Sequence, residues 1–183
     1  MSSTDKIFKL LSFGKQTKTE PKKFSRILLI NAFIIISLFF LLVYTLIELI
    51  NRNYTLSGIL GLISVCLIIN ILYLNRTLKT TFSEYFLVII FSALMIYLMI
   101  EGGPLELGYL WSILVPAFCL ILLGLKRGTI ASAIFLGIVL ILVINDFSFI
   151  KADYPGGFIL RFSSVFLASY LLVYTYEYFR LSN

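Results

Sequence analysis

The chain has 183 residues, of which 60% are hydrophobic and only 13% charged, and it carries a net charge of +6. A soluble domain of this length needs charged side chains on every outward face, and there are too few here to supply them, so the composition excludes a soluble globular protein. Histidine is absent and the two cysteines, Cys66 and Cys119, both fall inside long apolar runs, which excludes a Cys/His metal centre and a disulfide framework.

Residues 1–24 come first and form a separate basic piece. Ile7, Phe8, Leu10, Leu11 and Phe13 are interleaved with Lys6, Lys9 and Lys15. Two readings stay open: a short amphipathic helix on the inner leaflet, or an unstructured cytoplasmic tail. A cleavable signal is not expected, because the basic start precedes the first long apolar run by about 25 residues and that run is long enough to span.

Crossing the hydrocarbon core takes about 20 apolar residues as a helix. Six such runs follow in chain order, roughly 26–48, 55–75, 83–100, 109–125, 128–146 and 158–179. Barrel strands are shorter and alternate in polarity. The expectation is therefore an all-α polytopic membrane protein with six transmembrane helices. The organisation expected is a tail (1–24), a six-helix membrane domain (25–180) and a stub (181–183) after which a cytoplasmic output domain would follow.

The basic residues set the orientation. Lys6, Lys9, Lys15, Lys18, Lys22, Lys23 and Arg26 precede or open the first run. Arg76 and Lys79 lie between the second and third, Lys126 and Arg127 between the fourth and fifth, and Arg180 closes the sixth. Arg52, Lys151 and Arg161 fall on the other side. The positive-inside rule makes both termini cytoplasmic and the chain a multi-pass protein of the inner (cytoplasmic) membrane. Glu48, Glu101, Glu106, Asp146 and Asp153 then come out on the outer side, and the outer loops after the third and fifth runs carry acids, glycines and a proline.

Polar residues within the runs are costly unless satisfied. Asn31 and Asn70 read as helix–helix hydrogen-bonding residues. Gly58, Gly61 and Ser64, with Gly137 on the fifth run, read as marks of close helix contact. Gly124 and Gly128 flank a cytoplasmic turn and are not a dimerising pair. Pro116 removes one backbone hydrogen bond from the fourth run, and two readings stay open: a kink in the helix, or a proline packed quietly within it. Phe158, Phe162, Phe166, Tyr170, Tyr174 and Tyr178 recur every four residues, overshooting the helical repeat by about 40° per step, so the stripe winds around its helix. Arg161, near the outer end of the last run, must snorkel or pair, with Glu48, Glu101, Glu106 and Asp146 as candidate partners. One reading makes it the anchor of an outward-facing ligand site lined also by Glu48, Glu101 and Trp111, a guanidinium fork being suited to an anionic group. The other makes it a snorkelling arginine or one member of a salt bridge.

No phosphate-cradling loop, nucleophile–base–acid set or zinc motif is present, so neither catalysis by this chain nor a cofactor is expected.

The segments "GGPLELGYLWSILVPAFCLILLGLKRGTIASAI" and "FILRFSSVFLASYLLVYTYEYFR" together resemble the MASE-type membrane-associated sensor domains that precede diguanylate cyclases, class III nucleotide cyclases and histidine kinases in bacterial signalling proteins. The matching features are Gly103 and Pro104 in the outer loop, Tyr109 and Trp111 opening the fourth run, and Pro116 within it. The glycine-flanked basic turn, Arg161 and the exit "YEYFR" also match. The resemblance spans about residues 26–180. It implies ligand sensing near the outer face, with Gly103, Pro104 and Tyr109 at the site's rim. It also implies dimerisation and a signal leaving through the last helix, where Tyr174, Glu177 and Tyr178 would transmit it. The partners implied are membrane lipid, an unidentified small-molecule or lipid ligand and a second copy of the chain, with no nucleic acid. Family members run on into an output domain, whereas this sequence ends at "RLSN". The competing readings are a substrate-binding subunit of a vitamin-type importer, which the bulky first helix disfavours, and a cell-envelope scaffold.

Overall fold

A computed structural model describes residues 21–102, 108–145, 150, 154 and 157–182. These residues are helical nearly throughout, in α1 (Pro21–Ile50), α2 (Tyr54–Thr77), α3 (Thr80–Glu101), the one-turn α4 (Tyr109–Ser112), α5 (Val115–Asn145) and α6 (Phe158–Ser182). An apolar run in lipid has no water to satisfy its backbone, and the helix pairs every N–H and C=O within the segment.

Five helices are long and apolar enough to cross a membrane: Phe24–Ile50, Tyr54–Thr77, Thr80–Glu101, Tyr109–Asn145 and Phe158–Ser182. The six expected runs thus become five elements, since runs 109–125 and 128–146 are joined with no intervening loop. The join is not a straight helix. Gly124 has φ 78 and ψ 175, far from helical values, and only glycine adopts positive φ without strain. Four residues later Gly128 lies against the backbone it has just left. A Cβ built on Gly128 would stand 2.6 Å from the Cys119 carbonyl oxygen and 2.7 Å from Leu120 Cα. In a straight helix residues 119 and 128 would be about 13 Å apart along the axis. A side-chain hydrogen bond between Cys119 and Ser132 closes the same hairpin further along. Gly124 and Gly128 therefore serve a turn, as their place in the sequence implied.

Pro116 sits in the first turn of α5, where a missing N–H costs little. The helix is interrupted just before it, at Ile113 and Leu114, whose N–H groups bond three residues back, to Leu110 and Trp111. The expectation for the other glycines fails. A Cβ on Gly58 or Gly137 would meet nothing within 4 Å, and one on Gly61 would meet only Thr45 Cγ2 at 4.0 Å. Those positions are not sites of close helix approach; Gly108 and Gly128 are.

The chain divides into two compact units, residues 1–87 and 88–183. In the first, α1 packs on α2, and each pair of its three helices is joined by a polar contact. Asn31 Nδ2 donates to Asn75 Oδ1 at 3.4 Å between α1 and α2. Ser83 Oγ donates to Asn70 Oδ1 at 2.6 Å between α3 and α2. Arg26 donates from Nε to Glu84 Oε1 at 2.6 Å and from Nη2 to Oε2 at 3.3 Å, between α1 and α3. Asn31, Asn70, Ser83 and Glu84 are all buried. Asn31 and Asn70 thus bond across helices as expected. Such bonds contribute about 1 kcal/mol in a membrane. Asn70→Ala is expected to lower stability by about that amount. Detergent-titration unfolding of the purified variant measures the loss, and wild-type stability would contradict the assignment.

The turns of this unit carry their own signatures. Arg52 (φ 60) and Leu78 (φ 55) are left-handed, and the Asn53 side chain caps α2 by accepting from the Leu56 N–H at 3.3 Å.

In the second unit α5 packs on α6. Phe91 on α3 stacks on Phe118 of α5, with ring centroids 3.9 Å apart. Thr129 Oγ1 and the Tyr170 hydroxyl lie 2.9 Å apart, and Ser169 Oγ donates to the Ile113 carbonyl at 3.1 Å. The last helix is thereby tied to both arms of the hairpin.

Candidate functional site

The residues expected to line an outward-facing site fall in both units. Glu48 is buried near the end of α1 and belongs to the first unit. Glu101, Tyr109, Trp111 and Arg161 belong to the second. Gly103, Pro104, Glu106 and Asp146 lie outside the described residues. Arg161 is exposed on the first turn of α6, and among the described residues no carboxylate forms an ion pair with it. Trp111 is 43% exposed and faces outward. Glu101 is half-buried at the end of α3.

Tyr109 is the expected residue that the structure builds into a cluster, and its partners come from a segment that sequence reasoning passed over. The Tyr154 hydroxyl donates to the Met99 carbonyl at 2.6 Å, tying the segment before α6 to the end of α3. The Tyr154 ring packs against Tyr109 (6.5 Å, edge-on) and Phe158 (4.3 Å, tilted), and Tyr109 meets Phe158 edge-on at 5.1 Å. Such geometries place positive ring edges on negative faces, worth about 1 kcal/mol per pair beyond area burial. Gly108 anchors the other side. Its N–H donates to the Gly102 carbonyl at 2.8 Å, and a Cβ there would lie 2.5 Å from the Leu98 carbonyl oxygen. Ser112, three residues after Tyr109, is buried, and its Oγ has no hydrogen-bond partner among the described residues.

Burial and the neighbouring Tyr109 push the Tyr154 phenol up to about 12 from 10.0. Below pH 10 the folded and unfolded chains both keep this proton. Between 10 and about 12 only the folded chain does, so its stability is present below that window and lost as pH rises through it. Melting temperature should fall with alkalinity above about pH 10, and less steeply in Tyr154→Phe. Identical alkaline profiles for the two proteins would contradict the buried phenol.

From this cluster an aromatic run descends α6. Phe158, Phe162 and Phe166 are buried and follow one another at 5.5 and 5.9 Å, and Phe166 stacks on Phe135 of α5 at 6.1 Å. The stripe then winds out as its spacing requires. Tyr170 and Tyr174 are half-buried and 5.7 Å apart, and Tyr178 is 54% exposed. Glu177 takes over the buried face, because eleven residues after Phe166 the helix returns to within about 20° of the same direction. Glu177 is completely buried. Its Oε2 lies 2.7 Å from Arg180 Nη2, a close ion pair without the alignment of a hydrogen bond. Of the three exit residues expected to transmit a signal, Glu177 is thus packed inside, Tyr174 lies at the boundary and Tyr178 faces out.

The shallow depression in the first unit, lined by Leu78, Lys79, Thr80, Thr81 and Phe82, contains none of the expected site residues. No group of three or more potential metal ligands occurs among the described residues.

No curated protein and no solved structure matches the chain. A family model does, over residues 20–183, nearly the whole length: MASE6. The apolar helices, the helix-tied exit segment and this match converge, and the chain belongs to the MASE6 family of membrane-associated sensor domains found in bacterial signalling proteins.

Proposed function

We propose that the domain senses a ligand or membrane signal near its outer face and passes it through α6 to a cytoplasmic output. The observation that carries this reading is the unbroken aromatic run from Tyr109 and Tyr154 through Phe158 and Phe162 to Phe166. Close-packed rings transmit displacement because they have few alternative arrangements. A stimulus acting on the segment tied down by Tyr154 would therefore move α6, provided it favours one arrangement of the helix over another. The stimulus is expected near this cluster, with Arg161, Glu101, Trp111, Gly103 and Pro104 as its candidate contacts. The buried Ser112 hydroxyl, three residues after Tyr109, has no hydrogen-bond partner among the described residues.

The reading includes six crossings of the inner membrane, the hairpin at Gly124 dividing the fourth apolar element into two, and both termini in the cytoplasm. Basic residues at the 76–79 and 126–127 turns support that orientation. It further includes a homodimer embedded in lipid, the tail 1–24 at the inner surface, and a cyclase or kinase output joined beyond the membrane domain 25–180 through residues 181–183 in the full-length protein, with Tyr174, Glu177 and Tyr178 at the exit. Membership of a sensor family favours this over the importer and scaffold readings.

The test is output from the full-length protein at matched membrane abundance. Phe162→Ala, which breaks the run at its middle, and Tyr154→Phe, which removes only the hydroxyl bond, should each shift output by roughly threefold or more. Wild-type output in both variants would set the reading aside.

A further inference from the structure

Far from the aromatic cluster in sequence, the first unit holds an ionisable pair that the sensing reading does not use. Glu84 is 4% exposed, in the second turn of α3, yet its partner Arg26 opens the apolar span of α1 with a side chain that is 49% exposed. The two engage through two N–H donors, at 2.6 and 3.3 Å. Both residues stand near the starts of their candidate spans, Phe24–Ile50 and Thr80–Glu101, where a spanning helix meets the lipid headgroups. Arg26 follows Lys22 and Lys23, and Arg76 and Lys79 are exposed at the turn that precedes Glu84's helix. A guanidinium fork suits a phosphate as well as it suits a carboxylate, and a basic helix end draws anionic lipid to itself.

We propose that Arg26 and Glu84 form a releasable clasp between α1 and α3, and that the phosphate of an anionic lipid headgroup competes with Glu84 for Arg26. With the clasp closed, the start of α1 is held against α3. When a headgroup takes the guanidinium, the start of α1 moves outward and the Glu84 carboxylate gains access to interfacial water, so neither charge is left isolated in hydrocarbon. The membrane's anionic lipid content thereby sets the position of α1, and with it of the basic segment that precedes it. This does not depend on any ligand at the aromatic cluster.

The test uses the full chain with Cys66 and Cys119 replaced by alanine and spin labels at Ser25→Cys and Thr81→Cys, two exposed positions next to the pair. The inter-label distance distribution is measured in vesicles of phosphatidylcholine and of phosphatidylcholine with phosphatidylglycerol in equal parts. In the otherwise wild-type chain the fraction at longer distance should rise at least about twofold with phosphatidylglycerol. Glu84→Gln, which weakens the clasp and keeps the Arg26 charge, should show the longer distance in both vesicles and respond little to the lipid. A distribution that does not change with lipid, or a Glu84→Gln protein that responds as the wild type does, overturns the proposal.

Discussion

Replacement of Gly128 by leucine is expected to open the hairpin at Gly124. The positions its side chain would need are filled by the Cys119 carbonyl oxygen and Leu120 Cα, at 2.6 and 2.7 Å from Cβ alone. These are backbone atoms, so no rotamer change relieves the clash, and the arms 115–123 and 125–145 must separate. The cost belongs at the upper end of overpacking penalties, roughly 3 kcal/mol or more. A proximity assay reads the same event directly. Ser132→Cys should form an oxidative crosslink with Cys119, since the two positions are in side-chain contact. The crosslink should be lost when Gly128→Leu is added. Gly137→Leu, with nothing within 4 Å of its Cβ, is the control and should leave the crosslink intact. An undiminished crosslink in the Gly128 variant would contradict the fold-back.

The second large effect concerns the exit from the membrane, where the two halves of one ion pair are expected to behave unequally. Glu177 is completely buried while the Arg180 side chain is 42% exposed. Arg180→Gln removes a positive charge 2.7 Å from a buried carboxylate, a change that typically costs about 3 kcal/mol. Glu177→Gln leaves behind only an arginine that can turn to water or lipid phosphate, and should cost less than about 1 kcal/mol. Unfolding in mixed micelles measures the two variants side by side. Equal losses would mean that the pair does not neutralise Glu177 as the geometry indicates.

Much of this architecture was legible in the residues. The long apolar runs specify helices because lipid leaves the backbone no other partner, and the four-residue spacing of aromatics in α6 foretold a stripe that winds around the helix, though not which of its residues are buried. The hairpin was legible as a basic turn between glycines, but its tightness was not. Whether Gly128 or Gly58 marks a close approach depends on which backbone lies opposite, and spacing alone carries no such information. The site was half legible. Tyr109 stood out as an aromatic opening a helix. Tyr154, in "KADYPGG", looked like one residue of a polar loop, and only the fold brings its hydroxyl to the Met99 carbonyl, 55 residues away. Arg161 drew attention because a charge in an apolar run is expensive, yet at the first turn of α6 it reaches the surface and avoids that cost. Glu84 escaped notice for the opposite reason. It lies just inside α3 and reads as a boundary residue until Arg26 is found beside it.

The central claim is a domain that senses on one side of the membrane and speaks on the other through helices that cross it, and labelling of single cysteines tests it most directly. With Cys66 and Cys119 replaced by alanine, cysteines are placed singly at Asn51, Lys79 and Lys126, all exposed. They are then treated with a membrane-impermeant maleimide in right-side-out and inside-out vesicles. Asn51→Cys should react only from the outer side, and Lys79→Cys and Lys126→Cys only from the cytoplasmic side. A Lys126→Cys that is shielded from both sides, as in a straight helix through the bilayer, or that reacts together with Asn51→Cys, would contradict the claim.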